Sequence, residues 1–303
     1  MFKDKAPDTA ASGPWHSAHA QSDSAAIDTS GHTSITEIVS AAQAARLAAT
    51  LGVHDANDPT PEMLPWGWHT VFCNTILNAH DLAVDGLPRH DPVLPEHPGF
   101  PYRLFGGTRQ RFLKPVPVGT MLRCDSRIER VTPKTGRSGP MLVLEIERQF
   151  MLGDEVAVME QQSVIYKQDA TTQASTTAAE TGSEALAGPG TEPAAISELD
   201  VFRFSALTFN SHRIHYDAPY TQGMEGKPGL LIQAKLTALH LLRFSLAKCG
   251  ARTPVSFEYR ALRPFYCPDT LHMSAKQGTT IGSLDVWGTD TRGAVVMQAG
   301  LVY

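Results

Sequence analysis

The run LIQAKLTALHLLRFSLAK at Leu231–Lys248 decides the fold, because it is the most apolar stretch of the chain. Gln233, Lys235, His240 and Arg243 interrupt it, so it predicts a helix packed in a protein core rather than one that spans a membrane. Strands are predicted after it at Thr270–Gln277, Gly282–Thr289 and Ala294–Val302. A sheet face must cover such a helix, which predicts an α+β layer architecture.

The preceding part of the chain repeats this order of elements. A helix is predicted at Trp66–Leu82. Strands are predicted after it at Thr120–Val131, Met141–Met151 and Glu155–Lys167. Two similar segments, RFLKP at Arg111–Pro115 and RALRP at Arg260–Pro264, lead into the strands of each half. We therefore expect an internal duplication, with the two sheets joined edge to edge.

Two stretches of low complexity divide the chain. Residues 1–32 show no hydrophobic periodicity and are predicted to form a disordered tail, and residues 169–196 are predicted to form a flexible linker. The N-terminal half, 33–168, begins with a predicted helix at Thr33–Leu51. The C-terminal half is 197–303.

Composition excludes several classes of function. The formal net charge of −5 and the lack of a strongly basic segment argue against a nucleic-acid partner. The 4 cysteines lie far apart without a CxxC pair, which argues against a zinc ribbon and fits a reducing compartment. We expect a cytoplasmic protein without a membrane partner, or one of the mitochondrial matrix if the source is eukaryotic.

The stretch FSALTFNSHRIHYD at Phe204–Asp217, here called the elbow, carries the chain's densest group of proton donors and acceptors. A short strand is predicted before it, at Val201–Ser205. Its polar side chains are Asn210, His212, Arg213, His215, Tyr216 and Asp217. Such groups are costly in a core unless they are partnered, so the elbow is the predicted active site.

Four interpretations of the elbow were weighed. A surface turn would leave His212 and His215 as ordinary polar side chains. A zinc site has suitable ligand types in these histidines and Asp217, but no distant third ligand is evident. A serine nucleophile is disfavoured because no Gly-x-Ser-x-Gly motif is present. General acid–base chemistry through water, with His215 as the titrating group, fits best.

The elbow resembles the Asp-x-Asn-Pro-apolar-His signature of the MaoC-like, (R)-specific enoyl-CoA hydratases. His215 corresponds to the family's catalytic histidine, while Asn210, His212 and Arg213 replace its Asp, Asn and Pro. PGLLIQAK at Pro228–Lys235 is similar to the family's turn into its central helix. The variant FNxHRIHYD is similar to the type 2 hydroxyacyl-thioester dehydratases, a subgroup that includes hydratases of mesaconyl- or itaconyl-CoA.

This resemblance implies a double hotdog, in which two antiparallel sheets each wrap a long helix. It also implies reversible hydration of a 2-enoyl-CoA to a 3-hydroxyacyl-CoA. No metal or redox cofactor is implied, since CoA is part of the substrate. A hotdog thioesterase and a non-catalytic acyl-CoA-binding protein remain alternatives, and the chain is expected to be a monomer or a homodimer.

The resemblance also implies roles for individual residues. His215 relays the proton, Asn210 orients the water through its amide carbonyl, and Asp217 is expected to assist His215. The backbone N–H of Ala234 polarises the thioester carbonyl at a helix N-terminus. The expected substrate-binding residues are His212, Arg213, Tyr216, Gly229, Gln233, Ala234 and Lys235.

Other basic and aromatic residues have less specific expected roles. Lys235 or Arg213 is a candidate for binding a substrate phosphate or a second carboxylate on the acyl chain, although a solvated Lys235 is an equal alternative. The first half lacks the elbow, so one active site per chain is expected, with Trp66, Trp68 and Phe72 as the far wall of the acyl pocket. Candidates for the CoA phosphates are Arg109, Arg111, Arg260 and Arg263. His69 and His80 are expected to be packing or surface residues.

Overall fold

The computed structural model describes residues 27–54, 61–136, 139–168, 191–250 and 252–303. In these residues the strands are β1 (His32–Ile38), β2 (Met63–Leu64), β3 (Tyr102–Phe112), β4 (Val116–Pro117), β5 (Met121–Gly136), β6 (Gly139–Leu152), β7 (Glu155–Lys167), β8 (Glu192–Ile196), β9 (Leu230–Leu231), β10 (Ser256–Ala261), β11 (Tyr266–Cys267), β12 (Asp269–Gln277), β13 (Ser283–Thr289) and β14 (Val295–Val302). The α-helices are α1 (Ala41–Thr50), α2 (Glu198–Leu207), α3 (Ala218–Gly223) and α4 (Ala234–Cys249). Short 3₁₀ turns lie at Trp68–Val71, Ala79–Asp81 and Arg213–His215.

One antiparallel sheet of 10 strands unites the two halves. Its order is β1-β5-β6-β7-β3-β10-β14-β13-β12-β8, so each half contributes five neighbouring strands. The halves meet where β3 pairs with β10, and the pairs β1-α1 and β8-α2 occupy equivalent places at the two outer edges. The two halves have the predicted matching order of strands and join edge to edge, and the fold is a double hotdog in which, among the described residues, only the second half has a long central helix.

Helix α4 is the central helix of the second half. Its buried residues extend from Leu236 to Cys249, and it contacts β10, β12, β13 and β14. The helix ends where Gly250 adopts φ +71°, a conformation that most side chains disfavour. No helix among the residues that the structure describes is long and apolar enough to cross a membrane.

The predicted helix at Trp66–Leu82 is wrong. Gly67 has φ +83° and Cys73 has φ +56°, so the chain makes a 3₁₀ turn between them and then runs irregularly. Phe72 is nevertheless fully buried, which shows that this segment fills its part of the core without a helix. The first half therefore lacks a counterpart of α4 at the predicted position.

Four other predictions also differ from the structure in their boundaries or in the type of element. The predicted helix Thr33–Leu51 is β1 followed by α1, because the β-branched residues of β1 alternate between its two faces. The predicted strand Val201–Ser205 lies in α2, which Ser197 caps together with Asp200. The last residues of the predicted linker form β8, which pairs with β12, and His32 of the predicted tail begins β1. The rest of that linker, 169–190, and residues 1–26 lie outside the described residues.

We expect Gly107→Ala to destabilise the protein by about 2 kcal/mol, because a Cβ at this position in β3 would lie 2.4 Å from the backbone oxygen of Tyr259 in β10. The clash would push the two half-sheets apart. Gly300→Ala in β14 is the matched control, since the nearest atom to its added Cβ is 3.8 Å away. Thermal and urea unfolding measure both, and equal stability of the two variants would contradict the expected role of the close approach.

Candidate active site

The elbow begins in the last turn of α2, and after the helix ends it forms a tight turn that Asn210 stabilises. Phe209 adopts φ +52°, and the backbone N–H of Asn210 then donates to Ser205 O at 2.8 Å. The side-chain oxygen of Asn210 accepts a hydrogen bond from the backbone N–H of His212 at 3.1 Å. The amide therefore helps to fold the elbow and keeps one lone pair of its carbonyl oxygen for another donor.

His215 lies at the inner end of the elbow and is 7% exposed. Its Nδ1 is 2.6 Å from Leu231 O, which can only accept a hydrogen bond, so Nδ1 carries the proton and Nε2 of the neutral ring has a free lone pair. Burial lowers the pKa of His215 to about 4, and the neighbouring His212 adds to this effect, whereas the bond to Leu231 opposes it. His215 is thus a neutral base near pH 7.

His212 is half-buried and packs edge-on against His215, with ring centroids 5.6 Å apart. Burial lowers the pKa of His212, while Asp85 and Glu225 oppose the shift. Two neutral imidazoles therefore lie side by side, and neither adds a positive charge to the other near pH 7.

The structure does not support the expected assistance of His215 by Asp217. One oxygen of Asp217 accepts the backbone N–H of Tyr220 and caps α3, and the other accepts Nε and Nη2 of Arg213 at 3.0 and 2.7 Å. These bonds, that from Tyr220 first, lower the pKa of Asp217. Asp217 has a structural role here, because His215 uses Nδ1 to bind Leu231 instead.

Arg213 and Tyr216 are also occupied by the elbow itself. Arg213 donates to Val84 O at 3.0 Å in addition to Asp217, and its guanidinium lies 3.9 Å from the ring centroid of Tyr220. The exposed Tyr216 donates its hydroxyl to Ser211 O at 2.9 Å. Three of the five N–H groups of Arg213 thus hold the turn together, and its charge is paired with Asp217, while its binding of a substrate carboxylate stays a prediction.

The hydrogen bond from His215 to Leu231 O brings His215 close to the start of α4, because Leu231 lies three residues before Ala234. The first N–H groups of a helix have no partner within it, and its dipole favours negative charge there. Gly229 permits the close approach of this segment to β11, because a Cβ there would lie 3.0 Å from Cys267 O. The elbow and the helix N-terminus thus form one site.

Gln233 links this site to α2. Its Nε2 donates to Val201 O at 2.9 Å and to Ser205 Oγ at 2.8 Å. Its side-chain oxygen is buried and has no protein partner among the described residues. The predicted residue Gln233 is therefore at the site and holds a free acceptor there.

A buried polar cluster of the first half was missed by the sequence analysis. Glu160 of β7 accepts hydrogen bonds from His69 at 3.0 Å, from Gln110 at 2.7 Å and from Arg148 at 3.2 Å. Burial raises the pKa of Glu160, but His69, Arg148 and Lys235 outweigh it and hold the pKa well below its usual value. The sequence does indicate a charged side chain in the core, because Arg148 has the same alternating strand spacing as the inward-facing Ile146 and Phe150 of β6.

A small cavity lies between this cluster and α4. Its lining residues are Gly67, Thr70, Gln110, Lys235, Ala238, Leu239, Leu242, Phe257 and Tyr259. The structure places Lys235 of α4 here, facing the first half. Burial lowers the pKa of Lys235 to about 8, and the charge of Arg148 adds to the effect, while Glu160 opposes it. Lys235 is thus half-buried at this cavity and does not extend freely into solvent.

Several weaker expectations are corrected. Arg109, Arg111 and Arg260 lie on the exposed face of the sheet, opposite to α4, and Arg109 pairs with Glu258 at 2.8 Å. They are therefore on the wrong face to meet CoA phosphates at this site. Arg263 lies just beyond β10, where its backbone N–H donates to Val296 O.

The expected roles of the first half's aromatic residues and histidines are refined. Trp66 packs on Phe112 with ring centroids 5.3 Å apart, and Trp68 and Phe72 are buried, whereas the cavity wall is formed by their neighbours Gly67 and Thr70. His69 is a packed residue within the Glu160 cluster, and the side chain of His80 is 80% exposed.

Solved structures share this fold. A crystal structure of a MaoC-like dehydratase from Phytophthora capsici matches with a TM-score of 0.65 and 15% identity, covering 90% of this chain and 95% of that chain. A crystal structure of HtdX of Mycobacterium tuberculosis matches with a TM-score of 0.60 and 16% identity, covering 89% and 99%. At these identities the matches show the fold, which is that of the MaoC-like double-hotdog proteins.

Sequence comparison identifies the family. The family model for hydroxyacyl-thioester dehydratase type 2 matches residues 67–267. A mesaconyl-C(4)-CoA hydratase of Chloroflexus aurantiacus is 32% identical over 263 residues, which covers 85% of this chain and 90% of that relative. The chain belongs to the type 2 hydroxyacyl-thioester dehydratases and is therefore a hydro-lyase that acts on acyl thioesters.

We expect Asp217→Asn to retain most of the activity, because asparagine also caps helices and His215 does not contact Asp217. Asp217→Ala loses the cap of α3 and should lower the free energy of unfolding by about 1 kcal/mol. Thermal unfolding and steady-state turnover of both variants check this. A folded Asp217→Asn protein without activity would show that the carboxylate takes part in the chemistry.

Proposed function

We propose that the protein reversibly hydrates a short, branched, dicarboxylic 2-enoyl-CoA such as mesaconyl- or itaconyl-CoA. The observation that carries the proposed mechanism is the bond from His215 to Leu231 O, which fixes a neutral imidazole next to the start of α4. The family supports the hydration chemistry, and the relative from Chloroflexus aurantiacus supports this acyl class.

In the proposed reaction, Nε2 of His215 removes a proton from water as the oxygen adds to C3 of the enoyl thioester. Electrons shift to the thioester oxygen, and the resulting enolate takes up at C2 the proton held by Nε2 of His215, which returns this imidazole to its neutral form. Dehydration follows the same steps in reverse. Asn210 contributes the second lone pair of its carbonyl oxygen, which can accept the other hydrogen of the water.

The N–H of Ala234 is proposed to bind the thioester oxygen as its negative charge develops. Ala234 is the first residue of α4 and has no positive φ, so alanine presents this N–H as well as the glycine of the related sequences would. A donor aimed at the forming oxyanion supplies several kcal/mol of transition-state stabilisation in other enzymes.

Hydration is tested by mixing the protein with crotonyl-, mesaconyl- and itaconyl-CoA and following the loss of the conjugated thioester absorbance. His215→Ala should lower kcat by about 1,000-fold, since general acid–base groups contribute 10²- to 10⁴-fold. His80→Ala is the control, because that side chain is exposed and outside the site. Release of free CoA thiol without hydration would instead indicate a thioesterase.

The pH dependence tests the protonation state of His215. Its pKa of about 4 makes the base form dominant at pH 6–8, so kcat/KM for hydration of crotonyl-CoA, which has no second carboxylate, should be flat there. The rate should fall only as the pH drops through the lowered pKa, because protonation then removes the free lone pair of Nε2. An acidic limb near the ordinary histidine pKa of about 6.5 would contradict the assigned environment.

A further inference from the structure

We propose that the cavity beside α4 is a subsite for the distal carboxylate of the acyl group, formed by Lys235 together with Thr70 and Gln110 of the first half. This inference rests on the proposed hydration of a dicarboxylic acyl-CoA, and it assigns substrate selection to residues outside the elbow. The first half would thereby contribute to specificity although it lacks a hydratase motif.

The walls of the cavity come from both halves. Lys235, Ala238, Leu239 and Leu242 share one face of α4, because they follow helical spacing. Thr70 faces them from the 3₁₀ turn that stands where a helix was predicted, and the floor is the junction of β3 and β10. The cavity is small, so it suits a compact polar group such as a carboxylate and not a long chain.

The residues around the cavity carry more positive than negative charge. Arg148 and Lys235 provide two cations, while Glu160 is the one carboxylate that interacts with both. The two oxygens of Glu160 are already engaged by His69, Gln110 and Arg148. Among the described residues, no carboxylate lies within ion-pair distance of the Lys235 ammonium. A desolvated cation without a partner is costly, and an anionic ligand would compensate it.

Polar groups that lack a partner also point into the cavity. Thr70 is 3% exposed, and its buried hydroxyl has no hydrogen-bond partner in the described part of the chain. Gln110 is 4% exposed and uses Nε2 to bind Glu160, and its amide has a second N–H to donate. An ammonium, a hydroxyl and an amide are the donors that a carboxylate requires.

The subsite lies at a suitable place relative to the reacting bond. Lys235 directly follows Ala234, whose N–H is proposed to bind the thioester oxygen. An acyl group held at Ala234 can therefore extend along α4 and bring a distal carboxylate to the ammonium after few carbon atoms. A long unsubstituted chain would have to bury methylene groups against the charge, which disfavours it. Arg213 is less suited to this role, since its positive charge is already paired with Asp217.

The test compares mesaconyl-CoA with crotonyl-CoA, which lacks the distal carboxylate. We expect Lys235→Met to reduce the ratio of their kcat/KM values by about 100-fold, the usual loss when a buried charge pair is cut. Thr70→Val should reduce the same ratio by about 10-fold. Lys248→Met is the matched control, because Lys248 lies at the far end of α4 and pairs with Glu192 on the surface. Its ratio should equal that of the unmodified protein.

Binding measurements separate this inference from the hydration mechanism. Succinyl-CoA and butyryl-CoA have no double bond, so calorimetric titration measures affinity without turnover. The subsite predicts that the unmodified protein prefers succinyl-CoA and that Lys235→Met removes the preference, even if no enoyl thioester is hydrated. Equal affinity of the unmodified protein for both, or an equal loss of both in a folded Lys235→Met variant, would overturn the subsite.

Thermal unfolding shows whether a loss of binding in Lys235→Met comes from a less stable fold. Replacement of the desolvated ammonium by the methionine side chain should leave the Tm unchanged or raise it, because a buried unpaired charge is removed. A variant that binds neither CoA ester and also has a clearly lower Tm would show that Lys235 supports the fold, and would likewise overturn its assignment to the subsite.

Discussion

The pairing of β3 with β10 is the interaction on which the rest of the molecule depends. It makes one continuous sheet from two half-sheets and leaves neither of these edges exposed. It also sets the distance between the halves, because Gly107 allows the backbones to approach closely. Gln110 of one half and Tyr259 of the other thereby share the floor of a cavity beneath α4.

The two halves share one strand topology but differ in the polar groups that they contain. The second half holds the elbow and α4, so that a neutral imidazole and a helix N-terminus lie together. The first half replaces the corresponding helix by a turn and places a hydrogen-bonded carboxylate, Glu160, in its core. That carboxylate fixes Arg148 and His69 rather than reacting, since its oxygens are fully engaged.

Regular alternation made much of the sheet predictable. Glu155–Lys167 was predicted with the bounds of β7, and the last three strands were predicted to within a residue, because turn residues bracket each apolar stretch. Helix α4 was found because its apolar run is too long for a strand. In Trp66–Leu82 the apolar pattern suits a helix, but Gly67 and Cys73 adopt left-handed backbone conformations that interrupt it. These conformations are visible only in the folded structure. For α2, the capping pair Ser197 and Asp200 was the overlooked local signal.

The sequence predicts a candidate site at the elbow, but it does not predict the contacts that the structure shows there. The elbow was located from its polar density, and His215 does lie next to α4. The partners of Asp217 and Arg213 could not be read from the sequence, because they depend on how α3 and Val84 approach the elbow.

Covalent joining of the halves has a further consequence. In a symmetric dimer every substitution occurs twice, whereas in one chain the residues around Thr70 can change while their counterparts beside the elbow stay fixed. One half of such a chain can therefore vary around its cavity while the half that holds the elbow keeps its sequence.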